Sequence, residues 1–463
     1  MIAMPEMDLL PATRRALLHR LATAQAEGRA PSLVGAVLRD GAPVWTEGRG
    51  LVDGAPPTAD TQYRIGSLTK TFVAVLVLRL RDEGRLDLAD TLGAHLPQAP
   101  AATAGLTLAQ LLAHTGGIAA ETPPPWWERT DGGVRPEPAD ILEPEPVKHP
   151  AGRRFHYSNP GYALLGALVE QLRGAPLGQV LHEEILAPLG MTRTSLLPQA
   201  PHAHGWAVHP WADVLLPEPA TDTGRMAPAG QLWSTVQDLS RFGAFLAAGD
   251  PAVLAEATLT EMRTPVAPPD GPAWDAGYGL GLMLKQDGGR QLAGHTGSMP
   301  GFLCTLWVSP ADRLGAIALA NTTTGLAVGG LAADLLRITA EHEPRIPDPW
   351  RPLDTYDPAL LELTGPWYWG PGAVAVRLRP GGDLELGPLT GPGRAARLKA
   401  QPDGTWLGLD GYYAGETLRV IRDASGTVTH LDLGSFVFTR EPYGDPDVTP
   451  GGLDPHGWRP GPA

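Results

Sequence analysis

The chain has little cysteine, little lysine and no excess of positive charge. Its one cysteine, Cys304, excludes an internal disulfide and lies in an alternating strand pattern, which predicts a buried, inert thiol. The net charge is −14, and no clustered basic segment offsets it. Because phosphate backbones are bound by concentrated positive charge, nucleic acid is not a predicted partner.

Long apolar runs and a secretory signal are also missing. The longest apolar runs, such as residues 72–78, are far shorter than the roughly 20 residues that span a bilayer. The first residues, MIAMPEMDLLPATRRALLHRL, lack a basic head followed by an apolar run and a small-residue cleavage site. We therefore expect a cytoplasmic protein without a membrane partner.

The length and the turn-forming residues predict more than one domain. A chain of 463 residues exceeds one ordinary core, and its 57 glycines and 49 prolines indicate many long loops. Four composition blocks follow: a first domain at 1–345, a proline-rich linker at 346–356, a β-meander at 357–445 and a loose tail at 446–463.

Hydrophobic periodicity places the first elements. A helix is predicted at 8–27 and a hairpin at 33–48, with its turn at Asp40-Gly41. Residues 71–80 are apolar almost all round, which predicts a helix surrounded by protein. Further helices are predicted at 162–172 and 232–248, and an antiparallel strand pair at 302–320. Two irregular stretches, 119–150 and 198–228, are typical of long surface insertions, either lids or plain excursions.

Ser67 and Lys70 stand three residues apart at the start of the apolar helix. The chain has ten serines and four lysines against thirty-two arginines, so chance rarely produces this spacing. Residues at i and i+3 share a helix face, and a desolvated lysine can remove the proton that keeps a serine hydroxyl unreactive. The alternative is that Ser67 caps the helix and Lys70 lies on the surface.

Two weaker clusters follow. Tyr157 and Asn159 flank Ser158 in a loop before a predicted helix, where a phenol can shuttle a proton and an amide can bind a carbonyl. Alone, this triplet favours a turn and a helix start over a catalytic role. Gly294-His295-Thr296-Gly297-Ser298 precedes a strand, and its glycines would let a ligand approach the backbone. The similar string at 114–117, which begins with His114, is interpreted as a structural turn.

Together the three clusters resemble a known superfamily. RIGSLTK at 64–70, YSN at 157–159 and HTG at 295–297 look like the motifs of the penicillin-recognising serine hydrolases, which include class C β-lactamases, D,D-peptidases and related esterases. The likeness covers roughly residues 8–340. It implies an α/β fold (α+β), an α/β/α sandwich with an antiparallel sheet beside an all-helical region. The C-terminal part resembles a small lipocalin-like β-barrel, whose segment GLDGYYAGE at 408–416 is predicted to fill the barrel.

The resemblance also implies roles for the motif residues. Ser67 would be the acylated nucleophile, Lys70 its general base or the partner of that base, and Tyr157 the proton relay to the leaving group. The implied substrate-binding residues are Asn159, for the carbonyl, and His295, Thr296 and Gly297, for a carboxylate or the relay. The backbone N–H groups of Ser67 and Ser298 would form the oxyanion hole.

One departure from the family pattern shapes the functional prediction. Classical lactamases have lysine where this chain has His295, so a permanent cation is replaced by a group that titrates near pH 6.5. The favoured function is therefore a serine hydrolase of small esters or amides. The alternatives are a D-amino-acid peptidase, D,D-peptidase or weak β-lactamase, and a non-catalytic penicillin-binding-like protein.

No cofactor or metal is predicted, and the expected partner is a small acyl substrate. His202, His204 and His209 cluster in a proline-rich loop without neighbouring carboxylates, which favours a solvated loop over a metal site.

Overall fold

The computed structural model describes residues 9–132, 137–267, 275–347, 349–444 and 450. Within it the chain divides into two compact units, Met1–Ile346 and Pro347–Ala463. Apart from residue 450, the predicted tail at 446–463 lies outside the described residues.

The described part of the first unit contains helices and strands in mixed order. The helices are α1 Pro11–Glu27, α2 Thr69–Asp82, α3 Leu92–His95, α4 Ala101–Ala104, α5 Leu108–Leu112, α6 Asn159–Arg173, α7 Leu177–Leu181, α8 Ala227–Gly230, α9 Val236–Ala248, α10 Glu256–Met262 and α11 Val328–His342. The strands are β1 Ser32–Arg39, β2 Ala42–Gly50, β3 Tyr63–Arg64, β4 Trp206–Val208, β5 Leu215–Pro217, β6 Trp233–Ser234, β7 Ala276–Tyr278, β8 Met283–Asp287, β9 Arg290–Met299, β10 Phe302–Ser309 and β11 Leu314–Ala320.

Among the described residues, the first unit contains a seven-stranded antiparallel sheet. Its strand order is β2-β1-β11-β10-β9-β8-β7. Successive side chains of β1 enter two different cores, since Leu33 and Val37 pack with α1 and α11 while Val34 and Ala36 pack with the remaining helices. The sheet therefore lies between two helical layers, which confirms the predicted α/β/α sandwich with an antiparallel sheet.

The predicted hairpin and apolar helix are both confirmed. Asp40 and Gly41 have φ of 50° and 82°, the positive values that a tight hairpin turn between β1 and β2 requires. Helix α2 is buried at all positions from Thr69 to Leu78, and the rings of Phe72 and Phe242 stack with centroids 3.8 Å apart. Burial of α2 places its first turn inside the protein.

The helix predicted at 232–248 begins later than expected. Residues Trp233 and Ser234 pair with β3 as a short strand, and Thr235 accepts a hydrogen bond from the backbone N–H of Asp238. This side-chain cap starts α9 at Val236, because a capping threonine adopts extended rather than helical geometry.

The second unit is a closed barrel of eight described strands. They are β12 Gly365–Trp369, β13 Gly372–Leu378, β14 Leu384–Pro388, β15 Ala396–Ala400, β16 Trp406–Gly408, β17 Thr417–Arg422, β18 Val428–Leu433 and β19 Phe436–Thr439. Each pairs antiparallel with the next, and β12 closes on β19, which confirms the predicted barrel. Within the predicted filling segment, Tyr413 is buried in the barrel core, whereas Tyr412 is 61% exposed.

Candidate active site

Ser67 lies in a tight turn directly before α2. A 3-10 turn spans Gly66–Leu68, and Gly66 has a φ of 52°, which glycine adopts without strain. Ser67 is partly exposed, while Leu68 and Thr69 on either side of the helix start are buried. The N-cap of α2 is Leu68, and no described side chain caps it. The alternative interpretation of Ser67 as the helix cap is therefore wrong.

Lys70 lies inside the protein, with its ammonium nitrogen beside Ser67. The side chain has no exposed surface, and Nζ is 3.0 Å from Ser67 Oγ and 2.6 Å from the carbonyl oxygen of Ala229. Burial lowers the pKa of Lys70 to about 7, although the charges of Glu121 and Glu128 oppose the shift. The alternative interpretation of a surface lysine is wrong, and near pH 7 the amine is ready to accept a proton.

Tyr157 joins the Ser67–Lys70 pair from the loop before α6. Lys70 Nζ lies 4.9 Å from the centroid of the Tyr157 ring. Burial raises the pKa of Tyr157 above its usual value of 10, and an interaction with the Ser67 side chain partly opposes that rise. The phenol therefore keeps its proton at neutral pH and can donate it.

Asn159 is held by a carboxylate that the sequence analysis did not single out. It is the first residue of α6, its side chain is buried, and its Nδ2 donates to Glu121 Oε1 at 2.7 Å. The amide oxygen Oδ1 has no hydrogen-bond partner among the described residues. Because an amide nitrogen carries two N–H groups, one donor remains for a substrate carbonyl.

The third motif lies in β9 beside the nucleophile. A Cβ added to Gly297 would stand 3.1 Å from the backbone nitrogen of Ser67, and one added to Gly66 would stand 2.5 Å from that of Ser298. Only glycine permits this close approach of the turn at 66–68 to β9. The backbone nitrogens of Ser67 and Ser298 thus belong to two segments in direct contact. Thr296 directs its hydroxyl to the sulfur of Met283 at 3.5 Å.

His295 is buried and neutral, which corrects the expectation that it titrates near pH 6.5. Its Nδ1 donates to the carbonyl of Thr296, and its Nε2 accepts from the Tyr278 hydroxyl at 3.0 Å. Burial, and then the charge of Lys70, lower the pKa of His295 to about 3. A protonated imidazole for a substrate carboxylate is therefore absent at physiological pH, and the expected pH switch is wrong.

The two predicted surface insertions meet next to the site. Arg129, from the first insertion, forms an ion pair with Glu218, from the second, and the Glu218 side chain is only 3% exposed. The backbone N–H of Gly132 donates to the carbonyl of Asp222 at 2.6 Å. We call the described residues 119–132 and 198–228 the paired loops.

The first of the paired loops carries two carboxylates near Lys70. Glu121 is exposed and accepts from Trp127 Nε1 at 2.8 Å in addition to Asn159. Glu128 accepts from Trp126 Nε1 at 2.8 Å, and burial raises its pKa. Among the described residues Glu121 forms no ion pair with an arginine or lysine. The sequence predicted only an irregular surface insertion here, because an isolated glutamate in a loop carries no local signal.

The predicted histidine cluster has few ligands for a cation. The rings of His202 and His204 lie 5.2 Å apart, and Asp53 lies 3.6 Å from His204, which corrects the expectation that no carboxylate is near this cluster. Within the described ranges no three His, Cys, Asp or Glu side chains are grouped to hold a metal ion. Those ranges also include no helix with the length and apolarity to span a bilayer.

Known proteins resemble this chain in both sequence and fold. "Beta-lactamase-like protein 2" from Dictyostelium discoideum is 28% identical over 240 residues, which are 48% of this chain and 44% of that protein. The matched region thus spans about half the length of that relative. SurE has a TM-score of 0.60 at 27% identity and covers 93% of this chain and 99% of its own. A D-stereospecific amidohydrolase from Streptomyces sp. has a TM-score of 0.59 at 26% identity and covers 72% of this chain and 99% of its own.

Two family models match separate parts of the sequence. A domain of unknown function, DUF7586, matches residues 356–440, which include the barrel strands. The Beta-lactamase model matches residues 18–341, well over half of the chain and the whole region that contains Ser67, Lys70, Tyr157 and β9. The chain therefore belongs to the Beta-lactamase family.

Proposed function

We propose that this protein is a serine hydrolase that cleaves small esters or amides through an acyl-enzyme on Ser67. The observation that carries the proposal is the 3.0 Å approach of Ser67 Oγ to the buried amine of Lys70, whose pKa is lowered to about 7. A deprotonated amine at this distance is a competent base for a hydroxyl nucleophile.

The proton moves between three side chains in the proposed acylation. Neutral Lys70 takes the hydroxyl proton as Ser67 Oγ attacks the substrate carbonyl, and the backbone N–H groups of Ser67 and Ser298 stabilise the oxyanion. Tyr157 donates its phenolic proton to the leaving oxygen or nitrogen and recovers one from the Lys70 ammonium. In deacylation a water oxygen attacks the acyl carbonyl while its proton passes to Tyr157 and the proton of Tyr157 passes to Lys70. The bond between the acyl carbon and Ser67 Oγ then breaks, and Lys70 returns a proton to Oγ.

The acidic groups beside the site favour an acyl donor with a free ammonium group. Glu121 is exposed, and Glu128 adds negative potential next to it, so a cation near Asn159 is stabilised. The Streptomyces neighbour is named a D-stereospecific amidohydrolase, and a structure of SurE with D-Leu has a TM-score of 0.56 at 28% identity. We therefore propose amides or esters of amino acids, in the D configuration, as the substrate class.

Neutral His295 makes efficient β-lactam or D,D-peptide hydrolysis the weaker alternative. Those substrates carry a carboxylate, and the residue at the position of the family's lysine offers it no positive charge. The proposal therefore favours the amidase or esterase function over the lactamase alternative.

The test is intact-mass spectrometry after incubation with a fluorophosphonate, D- and L-amino acid p-nitroanilides, an activated ester and a penicillin. Wild-type protein should gain the fluorophosphonate adduct, and Ser67→Ala should gain none while its melting temperature stays nearly the same. Hydrolysis of p-nitrophenyl esters by Ser67→Ala at the wild-type rate would eliminate the acyl-enzyme scheme.

A further inference from the structure

His114 contacts three consecutive residues, His156, Tyr157 and Ser158. Its carbonyl oxygen accepts from the backbone N–H of His156 at 2.8 Å, and its Nδ1 accepts from the backbone N–H of Ser158 at 3.1 Å. Its ring lies 4.1 Å from the ring of Tyr157 at an interplanar angle of 33°. The backbone carbonyl of His114 therefore holds the residue before Tyr157, while its buried side chain holds the residue after Tyr157 and lies against the phenol ring.

The backbone of His114 is in a conformation that few residues adopt. Its φ is 55°, in the left-handed region, where Asn, Asp and His are tolerated better than other non-glycine residues. A residue needed only to make a turn at this φ would be glycine or asparagine. The imidazole adds what those residues lack, a flat ring under Tyr157 together with an acceptor for the Ser158 amide.

The Ser158 hydrogen bond also determines which nitrogen of His114 carries the proton. Since Nδ1 accepts, the proton is on Nε2, which has no hydrogen-bond partner within the described part of the chain. The centroids of the His114 and Tyr278 rings lie 4.8 Å apart at an interplanar angle of 64°. Burial holds the pKa of His114 well below its usual value, in keeping with a neutral ring.

We propose that His114 is a positioning residue for Tyr157, which keeps the phenol directed at Ser67 without contacting the substrate. The proposal rests on the proposed proton-relay role of Tyr157. A mobile Tyr157 would still leave Ser67 and Lys70 in place, so the loss should appear in kcat, through slower proton delivery to the leaving group, and little in KM.

The experiment compares three single variants, His114→Gly, His114→Asn and Tyr157→Phe. It also includes two double variants, in which each His114 substitution is combined with Tyr157→Phe. Glycine accepts the φ of 55° and removes both ring and acceptor, whereas asparagine accepts the same φ and retains an acceptor close to the Nδ1 position. Steady-state kinetics use the best p-nitroanilide found, and fluorophosphonate labelling reports Ser67 independently of Tyr157.

We expect His114→Gly to lower kcat by about tenfold to a hundredfold, within the range of a general acid–base contribution, with KM within about twofold. His114→Asn should recover much of that loss, and His114→Gly should add little in the Tyr157→Phe background. Multiplicative losses in the double variant would overturn the positioning role. If His114→Gly does not fold, a kcat for His114→Asn as low as that of Tyr157→Phe overturns it. Absent labelling of wild-type Ser67 would instead reject the proposed function.

Discussion

The lowered pKa of Lys70 results from the burial of its side chain away from water. An exposed lysine keeps its proton to above pH 10, but the side chain here is completely buried, and the loss of hydration destabilises the ammonium form. The hydrogen bond to the carbonyl of Ala229 and the negative charges of Glu121 and Glu128 stabilise the ammonium form and offset part of this shift. The balance brings the pKa of Lys70 to about 7, where both protonation states of the amine are populated at neutral pH.

The pH dependence of activity should therefore follow Lys70. We expect kcat/KM for an uncharged ester to rise with pH through about 7 and then level off, because the base form of Lys70 accumulates while Tyr157, with a raised pKa, stays protonated. His295, with a pKa of about 3, should contribute no step. The measurement is kcat/KM from pH 5.5 to 9 with melting temperatures as control, and a fall through pH 6.5 would restore a cationic His295.

Glu121 should determine the preference for a substrate ammonium. Glu121→Gln keeps an oxygen acceptor for Asn159 or Trp127 but removes the charge, so we expect kcat/KM for an amino acid p-nitroanilide to fall by about tenfold. The N-acetylated substrate, which has no cation, serves as the internal control and should change little. Equal losses on both substrates would indicate that Glu121 acts by holding Asn159.

Spacing in the sequence was sufficient to identify Ser67 and Lys70, because neighbours on one helix turn must face the same way. The β-meander of the second unit also followed from its turn residues, whereas the sandwich was expected from the resemblance to the superfamily. The contacts of Glu121, Ala229 and His114 were not predictable, since they arise from loops whose paths depend on distant packing. The protonation state of His295 was predicted wrongly, because the motif does not reveal its burial or its hydrogen bond to Tyr278, which lies in another strand.

The paired loops are joined by a half-buried ion pair. Glu218 is almost without solvent contact, accepts from the Thr323 hydroxyl at 3.1 Å, and meets Arg129 from the other loop. Burying a carboxylate to this extent costs folding free energy unless a cation and a hydrogen bond compensate for the lost hydration. The pair thus ties the loop that carries Glu121 and Glu128 to the segment that follows β11.

Arg129→Gln should loosen the paired loops. We expect KM to rise several-fold with a smaller change in kcat, and the loops to be cleaved faster in limited proteolysis, because Glu218 loses its cation. Arg345→Gln is the matched control, since it removes an ion pair with Asp40 whose side chains are 52% and 36% exposed. Equal effects of the two variants would show that the Arg129–Glu218 pair does not hold the loops.

The molecule consists of two units with separate apolar cores. The first unit contains the sandwich with its two cores, and the barrel core is formed by residues from Leu363 to Phe438. A unit with its own core can fold independently. Since all motif residues belong to the first unit, its chemistry is encoded before residue 347.

A chain ending at Ile346 should therefore fold and react. We expect calorimetry of the full chain to show two transitions, one of which persists in the shortened protein, and we expect fluorophosphonate labelling of Ser67 to persist as well. Loss of labelling in a folded shortened protein would mean that the barrel contributes to the active site. Unchanged kinetics on p-nitrophenyl esters would make it an independent appendage.

Cys304 is the only thiol of the chain, and it lies in β10 with no exposed surface. Cysteine-reactive dyes should therefore not label the folded protein. A cysteine placed at Trp211, which is 90% exposed, and a second at Tyr412 would each accept a fluorophore without background. Energy transfer between the two labels would then report, in solution and during turnover, how far apart the sandwich and the barrel are.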